Sequence, residues 1–193
     1  YVRAEGFNLS NIKVDGNIYF VTQKAKDTFK MTNSTVTGKQ ILADVDAVST
    51  ASIVNDADAL SKALSANGYW IVCPLRDITT DKDIVVEGTF HDKGLDTNKI
   101  YRKLGLYTHN DPSSKSIVTH RFTLTAPALV VKTPGFSLQH GIFVGDVYVD
   151  APNFNLTDQK VVGSIYFSKS EYVQTFTMDS ASSYSKNFQI KTK

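Results

Sequence analysis

Two stretches of this chain follow nearly the same pattern. Residues 154–167, FNLTDQKVVGSIYF, match residues 7–20, FNLSNIKVDGNIYF, with the Leu, Val, Gly, Ile, Tyr and Phe of the two stretches in the same places. Residues 136–149, FSLQHGIFVGDVYV, fill the same frame. Repeats of about 20 residues built from short strands are typical of stacked solenoids, in which each coil buries its apolar side against its neighbours. The sequence therefore predicts an all-β fold, a parallel β-helix (β-solenoid).

Two weaker copies of the repeat begin at Phe29 and Phe176, and each follows a strong copy after one spacer. The spacer VTQKAKDT before the first of them matches SKSEYVQT before the second in length. The strong copies that start at Phe136 and Phe154 are separated only by the short segment DAPN. The first two and the last two coils are therefore interpreted as a duplicated pair.

Alternation within each copy predicts which side chains point inward, because successive residues of a strand face opposite sides. The predicted interior positions are Phe7, Leu9, Ile18, Phe20, Phe136, Leu138, Val147, Phe154, Leu156, Ile165 and Phe167. In this register the tyrosine of each strong copy points outward. A shift of one residue would exchange the two faces.

The repeat is interrupted twice, by inserts at about residues 43–70 and 91–116. In the first insert, the spacing of apolar residues in 56–67 predicts one short helix that begins near Asn55 or Asp56 and stops at Gly68. The second insert is polar and punctuated on both sides of the strand-like stretch IYRKLGLY, which predicts a long loop or hairpin excursion. We expect residues 1–193 to form a single binding domain.

Composition excludes several classes of function. A net charge of +2 with no dense run of Lys or Arg argues against nucleic acid as a partner. No apolar run reaches the roughly 20 residues that a membrane span needs, and the first residues do not resemble a secretion signal, so we expect no membrane insertion. The chain is interpreted as a mature product or an excised domain. Cys73 is the only cysteine, and its apolar flanks indicate a core position.

Signals for chemistry are weak, so the sequence predicts no catalytic residue, no metal site and no cofactor. The glycines that recur once per coil indicate structural corners rather than a phosphate loop. The four histidines lack the spacing of a metal site. Two acidic sets stay open as candidates for a lyase or hydrolase site or, for the first set, a structural Ca²⁺. They are Asp77, Asp81 and Asp83, and Asp146, Asp150 and Asp158.

Outward tyrosines are the most informative candidates for binding. Tyr148 and Tyr166 occupy equivalent positions of successive coils, about 4.8 Å apart, and Tyr19 occupies the same position of the first coil. Flat aromatic rows suit the apolar faces of sugars. We expect Tyr101, Tyr107 and Trp70 to be supplied from the interrupting segments. The alternative hypothesis is that an insert packs over these rings and makes them a secondary core.

A family resemblance points the same way. The stretches IVVEGTFHDKGL, RKLGLYTHND, RFTLTAPALVV, GIFVGDVYVDAPNFNL and VVGSIYFSKSEYVQTFTMDS resemble the C-terminal domain of the tāpirins, cell-surface adhesins of thermophilic cellulose degraders. The resemblance implies a β-helix with a long loop against one face and binding of crystalline cellulose without hydrolysis. It also implies an extracellular, cell-surface location.

These observations together predict a noncatalytic, monomeric domain that binds insoluble polysaccharide, with cellulose as the expected partner. Two alternatives from other classes stay open. One is a polymer-forming scaffold like bactofilin, which shares short V-x-G coils. The other is a β-helix polysaccharide lyase or hydrolase, which would use one of the acidic sets.

Overall fold

The computed structural model describes residues 2, 4–20, 23–42, 51–109, 118–191 and 193. By their contacts these residues form two compact units, one within residues 2–42 and one within residues 51–109 and 118–193. The prediction of a single domain stays a prediction, because a division of this kind does not show whether each unit folds alone.

The first unit contains two copies of the repeat with a short helix between them. Its elements are β1 Asn8–Ser10, β2 Lys13–Val14, β3 Ile18–Phe20, α1 Gln23–Asp27, β4 Lys30–Thr32, β5 Thr35–Val36 and β6 Gln40–Leu42. The strands β1, β2 and β3 pair in parallel with β4, β5 and β6, so that Asn8 lies opposite Lys30 and Ile18 opposite Gln40. Paired residues are 22 positions apart, which is the distance between the starts of the two copies at Phe7 and Phe29.

The core of the first unit is small. Ile18, Phe20 and Ala25 are buried, and Leu9 is half-buried. The prediction that Phe7 lies inside is wrong, because this side chain is 41% exposed. Within this unit the copy that contains Phe7 has a single neighbouring copy, so the stacked ring of Phe29 covers Phe7 on one side only.

The second unit carries most of the strands. Its elements are β7 Ala51–Val54, α2 Ala57–Leu64, β8 Ile71–Pro74, β9 Ile78–Thr79, β10 Ile84–Val86, a 3-10 turn at Asp92–Gly94, β11 Arg102–Gly105, β12 Tyr107–His109, β13 Val118–Arg121, β14 Thr123–Val131, β15 Phe136–Gln139, β16 Ile142–Val149, β17 Asn155–Thr157, β18 Lys160–Val162, β19 Ile165–Phe167, α3 Ser170–Gln174, β20 Thr177–Met178, β21 Ser183–Tyr184 and β22 Phe188–Ile190. Short helices therefore occupy both of the matched spacers that the duplication predicts.

Two parallel sheets dominate this unit. A six-stranded sheet has the order β20-β17-β15-β11-β8-β7, and an eight-stranded sheet has the order β10-β14-β16-β18-β21, with β9, β19 and β22 joined to its members. Strand β17 pairs with β15, and β19 pairs with β16. Ser137 lies opposite Asn155 and Tyr148 opposite Tyr166, so paired residues are 18 positions apart, like the starts of the two copies at Phe136 and Phe154. An antiparallel pair, β12 with β13, lies outside these sheets.

The core of the second unit follows the predicted alternation. All seven side chains predicted to be interior in this unit are at most 1% exposed: Phe136, Leu138, Val147, Phe154, Leu156, Ile165 and Phe167. Gly163 shows why the repeat keeps a glycine at its corner. A Cβ at Gly163 would overlap the carbonyl oxygen of Gly145, so no larger residue fits without a shift of the backbone.

The helices and the inserts differ in detail from the prediction. The helix α2 starts after Asp56, whose Oδ1 accepts the Ala59 N–H at 2.8 Å, but it ends at Leu64 rather than at Gly68. The described residues contain three helices, not one. In the second insert, part of the stretch predicted to be strand-like, Arg102–Gly105, is a strand, and it belongs to the six-stranded parallel sheet rather than to a separate excursion. Residues 43–50 and 110–117 of the predicted inserts lie outside the described residues.

Candidate functional site

The outer side of the six-stranded sheet carries an aligned set of polar residues. Leu104, Leu138 and Leu156 stand in register on neighbouring strands and are fully buried. Because side chains alternate along a strand, the residues on either side of each leucine point to the opposite face. Four of these residues, together with Thr177, which pairs in register with Asn155, form what we call the polar ladder: Ser137, Gln139, Asn155, Thr157 and Thr177. Ser137 is buried among its neighbours, and the other four are partly or fully exposed.

Hydrogen bonds connect the members of the polar ladder to one another. Ser137 Oγ donates to Asn155 Oδ1 at 2.9 Å, and Thr157 Oγ1 donates to the same oxygen at 2.7 Å. Asn155 Nδ2 donates to Thr177 Oγ1 at 2.8 Å, and Gln139 Nε2 donates to Ser137 Oγ at 2.8 Å. These bonds hold amide and hydroxyl groups in fixed positions along the direction in which the strands stack.

Aromatic side chains border the polar ladder. Gln139 Nε2 donates to the Tyr101 hydroxyl at 3.0 Å, so the half-buried Tyr101 is tied directly to the ladder. The ring of Trp70 lies 6.3 Å from that of Tyr101, and Lys99 Nζ lies 5.0 Å from the Tyr101 ring centroid. These residues and the ladder form what we call the sheet-face site, together with Tyr107 described next.

Tyr107 reaches the same face from the strand that follows β11. Its ring packs over Gly105, where an added Cβ would lie 2.9 Å from Tyr107 Cε1. Gly105 stands in register with Gln139, so Tyr107 lies beside the ladder. Of the six predicted binding residues, Trp70, Tyr101 and Tyr107 are therefore the three that gather at this face.

A charged cluster adjoins Tyr107. The His140 ring meets the Tyr107 ring edge-on at 4.4 Å, and His140 Nδ1 lies 3.0 Å from Asp158 Oδ2. Arg121 Nη2 donates to the same oxygen at 2.5 Å. Burial by itself raises the pKa of the Asp158 carboxyl, but the hydrogen bonds and charges of His140 and Arg121 outweigh it and lower this pKa below its ordinary value.

Tyr148 and Tyr166 stack as predicted but on the eight-stranded sheet. Their ring centroids are 4.9 Å apart with 29° between the planes, and the two residues pair in register. Tyr148 is half-buried, whereas Tyr166 is only 7% exposed, so Tyr166 alternates with the interior Ile165 and Phe167 as predicted but its ring is covered rather than open. Lys191 Nζ lies 5.0 Å from the Tyr166 ring and Lys193 Nζ lies 5.4 Å from the Tyr148 ring, so residues near the end of the chain lie over this column.

Tyr19 belongs to the first unit and is described with that unit alone. Its side chain is half-buried, and its hydroxyl accepts a hydrogen bond from Asn17 Nδ2 at 3.1 Å. It points away from the buried neighbours Ile18 and Phe20, as the alternation predicts.

Three of the acidic candidates have structural partners that occupy a carboxylate oxygen. Asp77 Oδ1 accepts the Thr123 N–H at 2.8 Å, Asp146 Oδ1 accepts the Ser164 N–H at 2.8 Å, and Asp83 pairs with Lys193. Within the described ranges, no group of three His, Cys, Asp or Glu side chains is arranged to hold a metal ion. In the same part of the chain, no helix is long and apolar enough to cross a membrane.

Sequence reasoning missed the polar ladder and a buried arginine. Arg102 is fully buried and stands in register with Phe136, at a position that the repeat reserves for an interior Phe. An arginine at the position of a repeated Phe therefore indicates, from the sequence alone, that this part of the interior holds a charged side chain. The sequence signal of the polar ladder is weaker. Its members are common polar residues, and they form a row only when the strands are aligned in register.

Comparison with known proteins adds no family. No protein-family model, no curated protein and no solved structure matches this chain. Function is therefore inferred from the geometry of the faces.

Proposed function

We propose that this chain is a noncatalytic binding domain for insoluble plant polysaccharide, with cellulose as the expected ligand. In this proposal its parallel strands wind as a β-helix, and the domain attaches a cell to biomass from the extracellular side. The resemblance of its repeat stretches to the C-terminal domain of the tāpirins supports this hypothesis.

The observation that carries the proposal is the sheet-face site. Neutral sugars offer apolar C–H faces and rings of hydroxyl groups, which are matched by aromatic rings and by fixed amide or hydroxyl groups. Tyr101 and Tyr107 provide rings, and Gln139 and Asn155 provide amides that the ladder holds in place. Because the ladder's own hydrogen bonds position these groups before a ligand arrives, less conformational entropy is lost on binding.

The same chemistry favours binding over catalysis. Amides and aliphatic hydroxyls do not ionise near neutral pH, so the ladder supplies hydrogen bonds rather than a general acid or base. A run of such groups along stacked strands suits a long, regular polymer. We therefore assign the ladder to positioning a polysaccharide chain.

Adsorption to cellulose tests the proposal directly. We expect Tyr101→Ala combined with Gln139→Ala to weaken adsorption to microcrystalline cellulose by about 1 to 3 kcal/mol, because the change removes a ring and the amide tied to it. The matched control is Tyr184→Ala, an exposed tyrosine on the eight-stranded sheet, which should adsorb like the unmodified protein. Equal adsorption by the double variant and the control, with both folded by circular dichroism, would remove the sheet-face site from the proposal.

Product assays on the same samples separate binding from cleavage. We expect neither reducing ends nor unsaturated sugars to accumulate when the protein is incubated with cellulose or pectin. Accumulation of unsaturated products would favour the lyase alternative.

A further inference from the structure

A groove lies on the outer side of the eight-stranded sheet, over Tyr148. Its volume is about 560 Å³. Val85, Val130 and Tyr148 line it and stand in register on β10, β14 and β16, so they form one row of an apolar floor. This row belongs to a different sheet from the sheet-face site.

Four lysines and one acidic residue line the same groove. The lysines are Lys132, Lys169, Lys191 and Lys193, and the acidic residue is Asp150. Asp150 Oδ1 already accepts a hydrogen bond from Ser168 Oγ at 2.5 Å. The lining therefore offers several cations beside an aromatic ring and few competing anions.

Three of these lysines also have carboxylate partners outside the lining. Lys132 Nζ lies 3.2 Å from Glu87 Oε1, Lys169 Nζ lies 3.6 Å from Glu171 Oε1, and Lys193 pairs with Asp83. The side chains in these pairs are between 37% and 65% exposed, and exposed ion pairs contribute little.

Lys191 differs from the other three. Among the described residues it has no carboxylate partner, and its ammonium lies over the Tyr166 ring. A ligand carboxylate can therefore meet Lys191 without breaking an ion pair, and it can draw Lys132 or Lys169 by rotation of their long side chains.

We propose that this groove binds a carboxylated sugar, a uronate residue of an acidic polysaccharide. The sugar ring lies along the apolar floor beside Tyr148, and its carboxylate lies among the ammonium groups of Lys132, Lys169 and Lys191. A simple inorganic anion would contact the lysines but not the apolar row. A neutral sugar would contact the apolar row but would form no ion pair with the lysines.

Titration with a charged and an uncharged form of one ligand tests the proposal. We expect trigalacturonate to bind the whole chain more tightly than its methyl ester, because esterification removes the carboxylate charges and leaves the rings in place. The preference should shrink as sodium chloride is raised, since salt screens exposed charges. Equal binding of the two forms, or binding of neither, would overturn the proposal.

Lysine variants locate the binding. We expect Lys132→Gln with Lys191→Gln to weaken trigalacturonate binding by about fivefold or more, because it removes two cations from the lining. The control is Lys62→Gln with Lys160→Gln, which changes net charge equally at exposed sites away from the groove and should bind normally. Unchanged binding by the first variant contradicts the assignment.

Competition with a simple anion distinguishes a sugar site from a general anion site. Inorganic phosphate at the same concentration should fail to displace trigalacturonate, and efficient displacement would overturn the sugar assignment. Adsorption to cellulose should be unchanged in the Lys132→Gln, Lys191→Gln variant, since it depends on the other sheet. Cellulose adsorption therefore tests the proposed function, and trigalacturonate binding tests this groove, so either proposal can fail while the other holds.

Discussion

Among single residues, Arg102 shows how a charge is accommodated in this interior. Within the described ranges it is the one buried charged side chain. Its guanidinium donates to the carbonyl oxygens of Ala63, Leu64, Ser65, Tyr69 and Glu87. The first three lie at the end of α2, where a helix has unsatisfied carbonyls and partial negative charge. Burial lowers the pKa of Arg102 to about 10, so it stays protonated at neutral pH.

Replacing this arginine should be costly. We expect Arg102→Met to lower the free energy of unfolding by about 3 to 5 kcal/mol, because five carbonyl oxygens each lose a charged donor in a buried site. Denaturant unfolding measures the change, with Lys103→Met on the neighbouring outer position as control. A loss in Arg102→Met no larger than in the control would mean that water replaces the guanidinium without cost.

Asp158 should make stability depend on pH. Its pKa is lower in the folded protein than in the unfolded chain, so its contribution is present above the ordinary carboxyl pKa and is lost as pH falls through the folded value. We expect Asp158→Asn to lower the free energy of unfolding by about 1 kcal/mol at neutral pH. The deficit should shrink as pH falls below about 4 and be smallest at about pH 2, where the carboxyl is increasingly protonated.

Urea unfolding at neutral and at acid pH measures this difference. Asn is a suitable replacement because Asp158 has a φ of 48°, a conformation that Asn tolerates. A deficit of equal size at both pH values would assign the effect to shape rather than to charge.

Among the strands and helices, the tyrosine column on β16 and β19 changes its expected role. The register of the two strands is the predicted one, but Tyr166 is covered and contacts both Tyr148 and Lys191. A covered ring contributes to the packing of the unit as well as to any surface. The burial of Tyr166 therefore favours the alternative hypothesis that this ring is part of a secondary core. The residue that covers it, Lys191, lies near the end of the chain and not in one of the inserts.

A double substitution separates packing from binding. We expect Tyr148→Ala with Tyr166→Ala to lower the melting temperature, because loss of a buried aromatic side chain costs about 3 kcal/mol or more. Cellulose adsorption by the folded fraction should be retained, since the sheet-face site lies on the other sheet. Normal melting with lost adsorption would return the column to the cellulose site.

For the molecule as a whole, strand edges decide whether copies of this chain can join. Parallel sheets expose unpaired backbone groups at their outermost strands, and short edge strands limit such pairing. In the second unit, the strands at the ends of the two sheet orders are short, with two residues in β20 and in β21, three in β10 and four in β7. They offer few backbone groups to a partner.

We therefore expect the chain to sediment as a monomer. Analytical ultracentrifugation over a range of concentrations measures the state, and electron microscopy checks for regular fibres. Filaments at low concentration would favour the bactofilin-like alternative over the binding domain.

The repeat, its offsets and most interior positions could be predicted from the order of the amino acids. A repeat with period-2 alternation is local information, so the parallel registers between copies and the burial of Phe136, Phe154 and Phe167 followed from it. The same local information indicated the N-terminal cap of α2 at Asp56, because capping depends on neighbours close along the chain.

The exposure of residues on the outer side of each sheet, in contrast, depended on how segments that are distant in the sequence come together. Gln139 meets Tyr101 across 38 positions and Lys193 meets Asp83 across 110 positions, and no local pattern encodes such encounters. The donors of Arg102 likewise meet carbonyls 15 to 39 positions away. Strand alternation gives the side to which a residue points, whereas exposure depends on the segments that fold over that side.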